Sequence, residues 1–300
     1  MLMRRLACLL AIGFALSARA VIVSGGDGTQ NQTSAGAGSG WNYVGSVNGA
    51  SGVYLGNYSG AYWVLTAGHV GGHPFTLDGV TYQPVGTDIT LTNSDGSSAD
   101  LKLFRIDGDA SLDSLANLSL SSATPLGQTV TLVGNGIARE ASATHWDSSW
   151  QEVSSRGVYT GYKWTNSGVK SWGANTVQGS YLADYGNGVS TQTFYTQFRS
   201  GGVGQATTGD SGGGVFASAG ELAGIMIAVT SPASTGQPAS TSILNFNDTY
   251  IADVSAYRSE ILSYLSVAPV PEPTAVTLLG LCALVMLARI GLKKARAGLR

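Results

Sequence analysis

Thr208-Gly209-Asp210-Ser211-Gly212-Gly213-Gly214 is the stretch on which the reading of this chain turns. It sets one hydroxyl among glycines, where the backbone can turn tightly and approach another group closely. The residues that follow, Gly214 to Ala217 and then Leu222 to Val229, are β-rich. The same texture runs through the chain: 42 glycines, 11 % charged residues, and plentiful Ser, Thr, Tyr and Val. That mixture predicts short strands and tight turns. Low charge with few prolines argues against a disordered chain.

Working outward, alternation predicts strands at Gly52 to Leu55, Ala61 to Leu65, Val80 to Val85, Leu101 to Ile106, Thr129 to Val133 and Gln192 to Phe198. One helical pattern occurs late, from Val254 to Leu265. Asp253 is its N-cap, and Val254, Tyr257, Ile261, Leu262 and Leu265 form its apolar face. There is no repeat and no phosphate-binding glycine-rich turn. An all-β body with a closing helix fits paired barrels better than a sandwich.

Two further segments stand out. Trp63-Val64-Leu65-Thr66-Ala67-Gly68-His69-Val70 is an apolar strand ending in a histidine. Ser98-Ala99-Asp100-Leu101-Lys102-Leu103-Phe104 places an acid at the start of an alternating strand. A serine hydroxyl is a poor nucleophile at neutral pH and needs a base within hydrogen-bond reach. Histidine titrates in the right range, and a buried carboxylate fixes its tautomer and stabilises the imidazolium. Amides beside the serine can donate to a developing oxyanion, each donor being worth about 10²- to 10³-fold in rate.

In the order His, Asp, Ser, these blocks resemble the signatures of the trypsin-like (chymotrypsin-fold) serine proteases. The likeness extends through Val130 to Gly136, Ala223-Gly224-Ile225 and Val254 to Tyr257, and covers residues 21–265. It implies two packed antiparallel β-barrels with a C-terminal helix, acting on a peptide or protein substrate without a cofactor. It also implies Ser211 as nucleophile, His69 as general base and acid, Asp100 as orienting carboxylate, and the N–H groups of Gly209 and Ser211 as an oxyanion hole. Asp210 would be structural, pairing with a new α-amino group. Val21-Ile22-Val23-Ser24-Gly25-Gly26 resembles the family's mature start, so cleavage after Ala20 would itself produce that group. Asp88, in Asp88-Ile89-Thr90-Leu91, also mimics the acid block; Asp100 is preferred because its strand leads into the Gly134-Asn135-Gly136 region.

Departures from the family carry information. Gly68 and Val70 stand where many animal relatives have Ala and Cys. Gly214 replaces a common proline, which would loosen that strand. Gln205 stands six residues before the serine, where a trypsin has an acid, so preference for Lys or Arg is unsupported. The pocket wall would fall near Ile227, Ala228 and Val229, and Val229 would shorten the pocket for small or medium apolar residues.

The two ends read as addresses. Residues 1–20 carry Arg4 and Arg5, an apolar run and Ala18-Arg19-Ala20, the pattern of a secretory signal. Val270-Pro271-Glu272-Pro273, an apolar stretch from Thr274 to Ala288 and a basic tail resemble a PEP-CTERM sorting signal. That implies a processing partner of the exosortase type, a Gram-negative envelope, and membrane attachment through residues 266–300 before processing. The expected organisation is therefore 1–20 signal, 21–128 first barrel, 129–265 second barrel and helix, and 266–300 sorting segment. Between the ends lie eight basic and seventeen acidic residues, a balance of −9 that disfavours nucleic acid. Cys8 and Cys282 both lie in the ends, so the body has neither disulfide nor thiol nucleophile. His69, His73 and His145 show no metal-ligand spacing. The alternatives are a catalytically silent surface-binding protein on the same fold, and an esterase, whose strand-to-helix elbow suits so β-rich a chain poorly.

Overall fold

Val80–Tyr82 and Pro84–Thr92 are separated by Gln83 alone, yet they stand at opposite ends of one sheet. Between them lie, in order, Phe75–Leu77, Val44–Val47, Ala50–Tyr58, Ala61–Ala67 and Ser98–Ile106, antiparallel throughout. A sheet whose outer strands are joined by one residue must curl on itself, and the result is the first barrel. The run Val80 to Val85 is thus two strands with a corner at Gln83 rather than one. The computed structural model describes residues 21–230 and 236–266; the signal segment 1–20 and the sorting segment from residue 267 onward lie outside the described residues.

The second barrel is a closed ring. Thr129–Gly134 pairs with Ser171–Gly186, which pairs with Val189–Gln197, then Asp248–Asp253, Leu222–Val229 and Gly214–Phe216, which returns to Thr129–Gly134. Gly214 is paired on both sides, opposite Val133 and Ile225, so the strand is held rather than loosened. A Cβ at Gly214 would lie 2.6 Å from the Phe216 ring. Ile22–Val23 pairs with Gly204–Gln205, which brings the start of the described chain onto this barrel.

The long hairpin of Ser171–Gly186 and Val189–Gln197 carries no apolar alternation, and the sequence predicts only part of its second strand. The buried positions of the first strand are Ser171, Gly173, Asn175, Val177 and Ala183. Gly173 packs so closely on the backbone of Gly204 that a Cβ would lie 2.6 Å from its Cα. At Gly173 backbone rather than side chain fills that face, and Ser171 and Asn175 are polar, so the hydrophobic signal is weak.

The helix Val254–Leu265 has the bounds its periodicity predicts, and Asp253 caps it by accepting from Ser255 N–H at 2.9 Å. Val254, Tyr257, Ile261 and Leu265 are buried in one cluster with first-barrel side chains such as Leu91 and Leu101. Each such burial contributes about 1.5–3 kcal/mol. Leu262 is only partly buried at its edge. Among the described residues no helix is long and apolar enough to cross a membrane.

Candidate active site

His69 follows Ala61–Ala67 in a turn closed by Val70 N–H donating to the Ala67 carbonyl at 3.1 Å. Asp100 opens out of Ser98–Ile106, the neighbouring strand, with Ala67 opposite Leu101. The carboxylate accepts three contacts from one residue. Its Oδ1 takes the His69 backbone N–H at 2.8 Å, and its Oδ2 lies 2.8 Å and Oδ1 3.1 Å from His69 Nδ1. An ionised carboxylate only accepts, so Nδ1 carries the proton and Nε2 keeps a lone pair. The hydrogen bond to Asp100, helped by its charge, raises the His69 pKa above the usual histidine value; burial opposes it. Asp100 is buried, and its own N–H donates to Thr191 Oγ1 at 2.8 Å, which fixes the strand end. Asp88 faces elsewhere: it pairs with Lys102 at 3.4 Å and accepts from Gly72 N–H.

Gly68 is required here. A Cβ at that position would lie 2.8 Å from Asp100 Oδ1 and 3.0 Å from its backbone. With no Cβ, Gly68 lets Asp100 lie this close to the turn that carries His69.

Ser211 arrives from the second barrel. Its carbonyl accepts from Ser51 N–H at 2.9 Å, and the Ser51 carbonyl accepts from Thr66 Oγ1 at 2.7 Å, three residues before His69. Among the described residues no hydrogen bond joins the Ser211 hydroxyl to His69, and such contacts commonly tighten only around substrate. The amides of the loop divide cleanly. Those of Asp210, Gly212 and Gly213 donate to Thr207, Met226 and Asp210 carbonyls, whereas among the described residues those of Gly209 and Ser211 have no internal acceptor. Two spare donors therefore flank the serine hydroxyl, and Gly209 sits at φ +92°, where glycine is favoured.

Asp210 is wholly buried. It accepts from Thr207 N–H at 2.8 Å, Gly136 N–H at 2.9 Å and Val21 N–H at 3.4 Å. Burial pushes its pKa up to about 6 against these hydrogen bonds. Val21 is itself fully buried, and its carbonyl accepts from Asn31 Nδ2 at 2.6 Å. Sequence reasoning missed the residue that holds this segment, Arg139. Its guanidinium is buried, lies 4.0 Å over the Tyr162 ring, and donates to the carbonyls of Val23, Gly25 and Gly26. With only eight basic residues in the body, an arginine next to Ile137-Ala138 was the available signal.

The motif match now extends over most of the fold: the family model described as Trypsin matches residues 30–248. The chain belongs to the trypsin family. It is accordingly a serine protease. Among solved structures, this trypsin-family chain is similar to neuropsin, a serine protease expressed in the limbic system of mouse brain, at 16 % identity over 78 % of this chain and 98 % of that one, TM-score 0.49. It is similar to the active form of Rv3671c protease from M. tuberculosis, at 13 % identity over 76 % and 82 %, TM-score 0.43. It is also similar to the HtrA-type protease AlgW with a decapeptide, at 16 % identity over 73 % and 52 %, TM-score 0.40. The match spans about half the length of the AlgW chain. No curated protein sequence matches.

Beside the serine lies a cavity of about 180 Å³, lined by residues that include Ala206, Gly209, Ser211, Ile227, Ala228 and Val229. A neighbouring cavity of about 330 Å³ shares Thr208 and Val229 with it and includes Gln205 in its wall. Gln205 is buried, and its Nε2 donates to the Asp248 carbonyl at 3.2 Å. A larger cavity of about 410 Å³, between residues 34–43, 117–119 and 219–221, holds none of these groups.

Proposed function

We propose that this trypsin-family protein is an exported endopeptidase that cleaves peptide bonds through an acyl-enzyme on Ser211. The observation that carries the reading is the grip of Asp100 on His69 Nδ1, which leaves Nε2 free to take a proton. In this mechanism His69 removes the proton from the Ser211 hydroxyl as its oxygen attacks the scissile carbonyl. The carbonyl oxygen gains negative charge and is met by the spare N–H groups of Gly209 and Ser211. The imidazolium, stabilised by Asp100, returns its proton to the leaving amine. Water then enters, is deprotonated by His69, and hydrolyses the ester.

The neutral Gln205, the small cavity and Val229 on its wall support cleavage after small or medium apolar residues. The fit of Val21 against Asp210 supports activation by signal cleavage after Ala20, without a separate propeptide. The pattern of residues 1–20 supports export, and Val270 to Arg300 support sorting by an exosortase-type enzyme in a Gram-negative envelope, with membrane attachment before processing.

Labelling of the exported protein, expressed from the full sequence and carrying Val21 at its amino terminus, by a fluorophosphonate tests the reading. Wild type should be labelled on Ser211, and Ser211→Ala should not. An unlabelled wild type would overturn it. Mass spectrometry of exported protein should find Val21 at the amino terminus; blocking that amine without loss of activity would overturn the activation step.

A further inference from the structure

We infer that Ser51 is a positioning residue that holds the oxyanion hole in its working geometry; this rests on reading the Gly209 and Ser211 N–H groups as that hole. Ser51 lies on Ala50–Tyr58 of the first barrel and is fully buried. Its four polar functions are all engaged outside its own strand. The N–H donates to the Ser211 carbonyl at 2.9 Å. The hydroxyl donates to the Gly209 carbonyl at 2.9 Å and accepts from Asn135 N–H at 2.8 Å. The carbonyl accepts from Thr66 Oγ1 at 2.7 Å. One residue therefore touches the nucleophile loop twice, the Gly134-Asn135-Gly136 turn once, and the strand that delivers His69 once.

The two carbonyls that Ser51 grips belong to the two residues whose N–H groups are spare. Fixing a residue's carbonyl constrains its ψ, and Gly209 is the residue with most freedom to rotate away. An oxyanion donor is useful only within about 0.5 Å of its working position, so a second-barrel loop needs a fixed reference. Ser51 supplies it from the first barrel. The fit is close: a Cβ on Gly212 would lie 1.9 Å from the Ser51 carbonyl oxygen. A hydroxyl is the smallest group that can donate to Gly209 and accept from Asn135 at once. Alanine at 51 would take this partner from both.

The test compares Ser51→Ala with wild type and Ser211→Ala, each expressed from the full sequence and purified after export with Val21 at the amino terminus, using the rate of fluorophosphonate labelling and the hydrolysis of p-nitrophenyl acetate. Both reactions place charge on an oxygen held by the spare amides. The limiting rates of Ser51→Ala should fall together by about 10- to 100-fold, short of the 10²- to 10³-fold loss of a whole donor. The pH midpoint should stay where His69 sets it, since the His69–Asp100 contact is untouched; a general distortion of the site would move it. Ser51→Cys, of similar shape but a weak donor, should fall between the two and serves if the alanine variant fails to fold. Limiting rates within about twofold of wild type in the folded variant, beside an unlabelled Ser211→Ala, would overturn this inference alone. Labelling of Ser211→Ala would overturn the reading beneath it as well.

Discussion

The backbone nitrogen of Val21 lies 3.4 Å from Oδ1 of Asp210, the residue before the serine. In the whole chain that nitrogen is a peptide amide, whereas cleavage after Ala20 turns it into an ammonium beside a fully buried carboxyl. Burial, working against the hydrogen bonds that Asp210 accepts, lifts it to about 6 from 3.8. A carboxyl raised on folding stabilises the fold fully below its unfolded pKa, and that stability is lost as pH rises through the folded value. With Val21 acetylated, stability should therefore drop by about 3 kcal/mol between pH 4 and pH 7. With a free amine the pair is charged and the drop should be absent until the amine loses its proton, above about pH 8. Urea midpoints of the two forms at pH 4, 7 and 9 decide this; equal losses between pH 4 and 7 would refute it.

Asp100→Asn removes the group that raises the His69 pKa. Only neutral His69 can act as base, so the acid limb of kcat/KM in wild type should lie above the ordinary histidine value and move to lower pH in the variant. The limiting rate should fall by about 10⁴-fold, because an amide no longer fixes the tautomer. An unchanged midpoint would show that Asp100 does not control His69. Asp88→Asn, which loses only the Lys102 and Gly72 contacts, should leave the profile in place.

Gly68→Ala restores the residue common in relatives, yet it should harm this enzyme. The new Cβ would press on Asp100 at 2.8–3.0 Å, and such overpacking costs about 1–3 kcal/mol. Labelling of Ser211 should slow, with the pH midpoint shifted down as the His69–Asp100 contact lengthens. Wild-type kinetics in this variant would contradict the close approach of the two strands.

Val229→Gly should enlarge the cavity beside Ser211. Peptide-library cleavage should shift from small or medium apolar residues toward larger ones. One methylene in an apolar pocket is worth about 10- to 200-fold in kcat/KM. Efficient cleavage after Arg by the wild-type chain would sink the proposed preference outright.

Arg139→Met removes the donor to the carbonyls of Val23, Gly25 and Gly26. The variant should lose about 3 kcal/mol or more, since hydrogen bonds to a buried charged group are each worth about 1.5–3 kcal/mol. It should also expose the Val21 segment to amine-directed labelling. A stable variant with a protected amine would show that Asn31 and the Ile22–Val23 strand suffice to hold it.

The sequence by itself determined the β texture, the closing helix with its Asp253 cap, and the order of the His69, Asp100 and Ser211 blocks. These are local signals, alternation, capping chemistry and a run of small residues, each contained within a few neighbouring positions. The sequence also preferred Asp100 to Asp88 as the partner of His69, but only tertiary structure shows that carboxylate against Nδ1, that Gly68 leaves room for it, and that Arg139 and Asn31 hold the start of the described chain. Tertiary structure also decided that the long hairpin turns Ser171, Gly173 and Asn175 inward, and that Ser51 joins the blocks. The physical reason is common to all of these: they are polar or backbone contacts between segments remote in the chain, and such contacts leave no periodicity in the residues that make them.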